Sequence, residues 1–223
     1  MELKHNRNRV LSVKVAMEEW KIVNPQSDEE ATLWFKKIIS KQSYLKCLRY
    51  MYEYEESLFE HCMRVCFYAI LLSRKLSLSR SVTATFAEAA LLHDLGKTKI
   101  PKCVLQKNGR LADDEYFLVK QHVLYSCLLL EQEEISGMMI KVVLQHHEKI
   151  DGTGYPLSLS KEEISVLGRY LAVVDIYDAV HSSRCYKAGM SKEETLKVMW
   201  SQVGVDELIL QLFIDVLEEA KLK

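Results

Sequence analysis

A chain of 223 residues with 48% apolar side chains can bury one generous core, alone or with a small appendage. Eight glycines and three prolines exclude fibrous and low-complexity classes. Thirty basic against 31 acidic residues leave a net charge of −1, which argues against a binder of nucleic-acid polymers, whose affinity rests on surplus cations. A small anionic ligand needs only a local basic pocket. No apolar run reaches the roughly 18 residues of a membrane span, and MELKHNRNRV lacks the apolar stretch of a signal peptide. The expectation is therefore a cytoplasmic chain with no membrane span. Six scattered cysteines without a CxxC read as reduced thiols, with Cys62 and Cys66 as core neighbours on one helical face.

In chain order, residues 1–50 read as an N-terminal helical extension, with a break near Asn24 to Ser27, that serves as a cap, a homodimer helix or a docking arm for a regulatory partner. Residues 51–223 form the main domain. From Leu58 the apolar positions 58, 62, 65, 66, 69 and 72 follow the 3.6-residue period of a buried helix. TFAEAALLHDLG predicts a second helix ending at Gly96. Asp113 and Asp114 cap a third, carrying Phe117, Val119, Val123, Cys127 and Leu128; a fourth runs from Ile135 to His147. Ser160 to Glu163 and Ser191 to Glu194 are capping-box patterns before helical runs, and the last helix carries Leu208, Ile209, Leu212, Phe213, Val216 and Leu217. Two loops stand out, Thr98 to Arg110 and DGTGYP at 151–156. The chain is expected to be all-α.

The informative anomaly is histidine where leucine belongs. Continuing the stripe Ile135, Met138, Met139, Val142, Val143 lands on His146 and His147, so two imidazoles occupy an inward face. Burying them is costly unless something satisfies them. His93-Asp94 ends an apolar helix, where a carboxylate opposes the helix dipole unless a cation compensates it. His61 lies one turn from Leu58 and Val65, His122 one turn from Leu118 and Val119, and Asp175 four residues after Leu171. Five helices presenting His or Asp to one interior point to metal. Mixed imidazole and carboxylate donors suit iron, manganese, zinc or nickel rather than calcium or magnesium alone. Asp178 and His181 read as surface, cap or supporting groups.

The segments HDLGKTKIPKCVL (93–105), His122, HHEKIDGTGYP (146–156) and VVDIYDAV (173–180), following His61, resemble the HD-GYP family of the HD phosphohydrolase superfamily over about residues 55–190. That resemblance implies an all-α HD-domain bundle around a metal centre and hydrolysis of cyclic di-GMP to linear pGpG and then GMP. It implies His61, His93, Asp94, His122, His146, His147 and Asp175 as ligands, with Asp94 bridging. Lys97 would contact a phosphate oxygen, Gly154, Tyr155 and Pro156 would meet the ligand, and Arg184 and Lys187 would hold its other phosphate. Iron or manganese are the metals it suggests. Two departures stand in the chain. Cys185 replaces a proline between Arg184 and Lys187, and Ser57 stands where trinuclear members carry a glutamate. Ser57 with Glu60 fits a capping box instead, so two divalent ions per chain are expected. A silent cyclic-dinucleotide receptor and an HD-fold phosphohydrolase for another nucleotide remain open beside this reading.

Overall fold

The stripe beginning at Leu58 becomes a 20-residue helix, Glu56–Lys75, buried along nearly its whole surface. Its apolar positions follow one another on every side, so other helices must cover it on every side. This computed structural model describes residues 29–182 and 190–220. In chain order the helices there are α1 (Glu29–Ile39), α2 (Leu45–Tyr54), α3 (Glu56–Lys75), α4 (Arg80–Leu92), the short α5 (Lys102–Leu105), α6 (Asp113–Lys120), α7 (His122–Gln132), α8 (Gly137–Gln145), α9 (Val166–His181), α10 (Lys192–Ser201) and α11 (Glu207–Glu219). The described residues hold no strand, only an isolated antiparallel bridge between Asp151 and Ser160. The fold is all-α, and none of the described helices is long and apolar enough to cross a membrane.

Helices α1, α2, α4, α9 and α11 surround α3, and α8 packs against α4, α7 and α9. Aromatic rings fix the crossings. Tyr68 of α3, Tyr177 of α9 and Phe213 of α11 meet edge to face with centroids 5.2 to 5.7 Å apart. Phe35 of α1 meets Phe67 of α3 at 5.8 Å. Cys62 and Cys66 are fully buried free thiols, and burial pushes both thiols up, as core residues require.

Several expected boundaries move. The third helix is two helices, α6 and α7, broken at Gln121, and Ala112 precedes it as cap rather than Asp113. Phe117 and Leu128 face solvent instead of continuing the apolar stripe. Helix α4 ends at Leu92 and Leu95–Lys99 forms a 3-10 turn, so Gly96 does not terminate the helix. Helix α8 ends at Gln145, with His146 as its right-handed cap and His147 beyond it. Both capping boxes form, but Ser160 opens only the 3-10 turn Lys161–Glu163, while Ser165 caps α9. Ser57 is not a cap. Glu55 occupies that position, and the Ser57 hydroxyl donates to Glu55 Oε1 at 2.8 Å, while Glu60 lies beside Arg64 at 3.7 Å. The expected break near Asn24 lies outside the described residues.

Candidate metal centre

Helix ends and two helix middles deliver seven side chains to one place. His93 and Asp94 follow α4, His122 opens α7, and His146 and His147 follow α8. His61 and Asp175 project from the middles of α3 and α9. Three sets of donor atoms each lie within 4.8 Å of one another: His61, His93 and Asp94; His93, His146 and Asp175; and His122, His146 and His147. Shared members make these one cluster. Asp94 stands at its centre, with Oδ2 3.5 Å from Nε2 of both His61 and His93 and Oδ1 3.2 Å from His122 Nε2. Asp175 Oδ1 lies 3.0 Å from His61 Nε2 and 3.4 Å from His93 Nε2.

The chain's own backbone sets the direction of these rings. His93, His122 and His146 each donate from Nδ1 to the carbonyl three residues earlier, at 2.8, 2.6 and 2.6 Å. A carbonyl only accepts, so the proton sits on Nδ1 and the Nε2 lone pair points inward. His61 Nδ1 donates in the same way to Asp178 Oδ2 at 2.7 Å. Lone pairs therefore face carboxylate oxygens, and Nε2 of His61, His93, His122 and His146 and Oδ1 of Asp94 are buried without a hydrogen-bond partner.

Protonation relieves only part of this. Burial pulls the His61 imidazole down, but Asp175, Asp178 and Asp94 outweigh it and raise it to about 10. Burial, then His93 and His122, hold His146 down at about 3, and burial with His146 and His122 lowers His147 far below its usual value. Those two rings stay neutral, and the unpartnered Nε2 of His146 points into the cluster. Burial opposes ionisation of Asp94, yet Lys97 and the neighbouring histidines keep it well below the carboxylate range. The neutral His146 and His147 rings and the ionised Asp94, packed among imidazoles whose buried Nε2 atoms have no hydrogen-bond partner, are a donor set that fits divalent cations.

Around the cluster stand groups that support it. Of the roles that the sequence left open for Asp178, the structure shows the supporting one, beside His61. Asp178 is fully buried and also accepts from Arg64 Nε at 2.7 Å and Nη2 at 3.1 Å. Burial opposes its charge, but His61 and then Arg64 hold its carboxyl at about 2. A signal for this existed: Arg64 follows His61 by three and Asp178 follows Asp175 by three, so each pair shares a helical face. His181 stacks on Tyr177 at 5.1 Å. Because Asp178 orients His61, Asp178→Asn should weaken metal affinity by about 10- to 100-fold. Chelator competition measures this, and an unchanged affinity would remove Asp178 from that role.

Glu148 was missed altogether. Its buried carboxylate accepts from the backbone N–H of Leu157 at 2.6 Å and of Leu159 at 2.9 Å. This folds the 151–156 loop back over His147, where the Tyr155 N–H donates to the His147 carbonyl at 3.1 Å. Gly154 is obligatory there, since a Cβ would fall 2.4 Å from Glu148 Cα and Lys149 N. The Tyr155 ring lies 4.8 Å from that of His147, and the Tyr155–Pro156 bond is cis.

The cluster opens in two directions. One is a recess of about 60 Å³ lined by Tyr54, Glu55, Ser57, His61 and Lys97. Lys97 is ion-paired with Asp94 there. The other is a cavity of about 270 Å³ whose walls include Tyr116, His146, His147, Tyr155 and Arg169. Arg184 and Lys187 lie outside the described residues, as does Cys185.

A family model described as an HD domain matches residues 48–208. The chain is 41% identical over 146 residues to a cyclic di-GMP phosphodiesterase of Pseudomonas aeruginosa, a match covering 65% of this chain and 35% of that protein. It is 35% identical over 139 residues to 3′3′-cGAMP-specific phosphodiesterase 3 of Vibrio cholerae, covering 62% and 30%. The chain thus spans about a third of the length of these relatives. The HD domain of the L. monocytogenes phosphodiesterase PgpH, solved with cyclic-di-AMP, superposes with a TM-score of 0.57 at 15% identity, covering 79% of this chain and 95% of that one. That likeness is one of fold.

Proposed function

The chain belongs to the HD domain family, of the HD-GYP type, and from that premise we propose that it is a metal-dependent phosphodiesterase opening cyclic di-GMP. What carries the reading is the buried set of opposed lone pairs and carboxylates beneath the loop holding Tyr155. The two curated relatives are named for cyclic di-GMP and 3′3′-cGAMP, which share a guanine.

In this reading His61, His93, Asp94, His122, His146, His147 and Asp175 hold two divalent ions, iron or manganese before zinc or nickel. Asp94 directs one oxygen toward His61 and His93 and the other toward His122, as a bridge requires. When bound, such ions supply Lewis acidity and activate water as a nucleophile near neutral pH. The residues do the rest. Lys97 places its ammonium beside the cluster, where charge develops on a phosphoryl oxygen, and burial strengthens that interaction. Gly154, Tyr155 and Pro156 hold the nucleotide against the cluster, and Arg184 and Lys187 take the second phosphate. Water oxygen adds to phosphorus in line with the departing 3′ oxygen, the P–O3′ bond breaks, and that oxygen leaves as a hydroxyl. The product is linear pGpG, and a second cut gives GMP.

Glu55 is the carboxylate lining the recess beside His61, and Ser57 and Gln106 already engage its two oxygens. We therefore keep the count at two. With the reading go a cytoplasmic location and residues 1–50 as an extension for a regulatory partner or a homodimer. The test is anaerobic purification, elemental analysis and assay with cyclic di-GMP. Two ions per chain and conversion to pGpG are expected. Binding without turnover would make the chain a receptor, and a third side-chain-bound ion near His61 would overturn the count.

A further inference from the structure

Helix α6 buries none of its residues, so the core gives it no reason to be there. Its contribution lies on one face. Tyr116 and Lys120, four apart, share that face, and Tyr116 is a wall of the 270 Å³ cavity that also exposes His147 and Tyr155. The Lys120 ammonium stands 5.0 Å from the Tyr116 ring centre and 5.8 Å from that of Tyr155. The Tyr155 ring continues inward to His147, 4.8 Å away. A lane of π faces therefore runs outward from the metal centre and ends at an amine between two phenols.

Lys120 is held by rings rather than by a carboxylate. Among the described residues no hydrogen bond or ion pair takes its N–H groups. Tyr116 is about half exposed, at 48%, so part of its ring is open to a ligand. Flat aromatic faces beside a donor of N–H groups suit a heteroaromatic ring with acceptors on one edge. Guanine presents such an edge through O6 and N7, whereas adenine replaces O6 with an amino donor. A stacked base gains from any π face, while the edge contact tells the purines apart.

We propose that Tyr116, Lys120 and Tyr155 form a guanine subsite beside the metal centre, with the tyrosines stacking on the base and Lys120 donating to O6 and N7. This rests on the phosphodiesterase reading and adds the residue that selects the base. Lys120 would then act on the base and not on the reacting phosphate, which separates it from Lys97.

The experiment uses the metal-loaded full chain and its Lys120→Met and Tyr116→Ala variants, at a half-buried and an exposed position respectively. Each is assayed with cyclic di-GMP and with bis(p-nitrophenyl) phosphate, a diester without a base. Lys120→Met should raise the Michaelis constant for cyclic di-GMP about tenfold, with bis(p-nitrophenyl) phosphate turnover, metal content and Tm unchanged. Tyr116→Ala should raise the same constant to a similar degree through lost stacking. Equal losses on both diesters for Lys120→Met would assign the amine to phosphate and overturn the subsite, as would no change with cyclic di-GMP. Wild-type protein that cleaves bis(p-nitrophenyl) phosphate but no cyclic dinucleotide would overturn the substrate reading and the subsite with it.

Discussion

Asp94→Asn should yield a folded chain that holds little metal and hydrolyses cyclic di-GMP at least about a thousandfold more slowly, equivalent to about 4 kcal/mol of barrier. Among the described residues Asp94 is the one side chain within 3.5 Å of three separate imidazoles, and it is also the partner of Lys97. The amide keeps the shape but removes the charge that draws cations into a dry site. Its NH2 can donate to a histidine lone pair, so the metal-free cluster gains a hydrogen bond it lacked. The fold is thereby spared while the site is disarmed. Elemental analysis, turnover and Tm together decide the matter. Full metal content with a wild-type rate would show that Asp94 bridges nothing.

Gly96→Ala should act through the scaffold instead. A Cβ at position 96 would lie 2.0 Å from the His122 carbonyl oxygen and 2.4 Å from the Ser126 nitrogen, both backbone atoms with nowhere to go. The contact is close because the Gly96 N–H donates to Ser126 Oγ at 2.7 Å, while that hydroxyl donates to the His93 carbonyl at 2.7 Å. Ser126 thus staples α7 to the turn carrying His93 and Asp94. Adding a methyl group must push α7, and His122 with it, away from the cluster. We expect a loss of about 3 kcal/mol, or about 6–12 °C in Tm, together with reduced metal content. A variant with wild-type Tm and metal stoichiometry would contradict the close approach.

The contrast between these two residues shows what a sequence discloses. Asp94 was legible because a carboxylate after an apolar helix, beside a histidine, has no comfortable structural explanation. His146 and His147 were legible because the helical period carries through Val142 and Val143 to their positions, and the backbone does turn that way even though the helix has ended. Gly96 was misread because a glycine after a helix has a local explanation, whereas its actual constraint comes from a carbonyl 26 residues later. Glu148 was invisible for the same reason: its partners are backbone N–H groups of a loop, which carry no side-chain signature. The break at Gln121 hid inside an unbroken apolar spacing, and only the exposure of Phe117 and Leu128 betrays it. Periodicity reports which way a side chain points, but not which distant strand of backbone it will meet.

The donors of the cluster come from five segments spread between positions 61 and 175. No short stretch of chain holds enough of them to grip an ion, so an ion that binds here recognises the finished fold and ignores the unfolded chain. Mass action then ties the population of folded molecules to the free ion concentration. At a hundred times the dissociation constant the folded state gains about 2.7 kcal/mol. On the proposed reading, a shortage of the ion would lower the folded population along with turnover. The opened chain, no longer drawn back by its ligand, spends more time within reach of proteases.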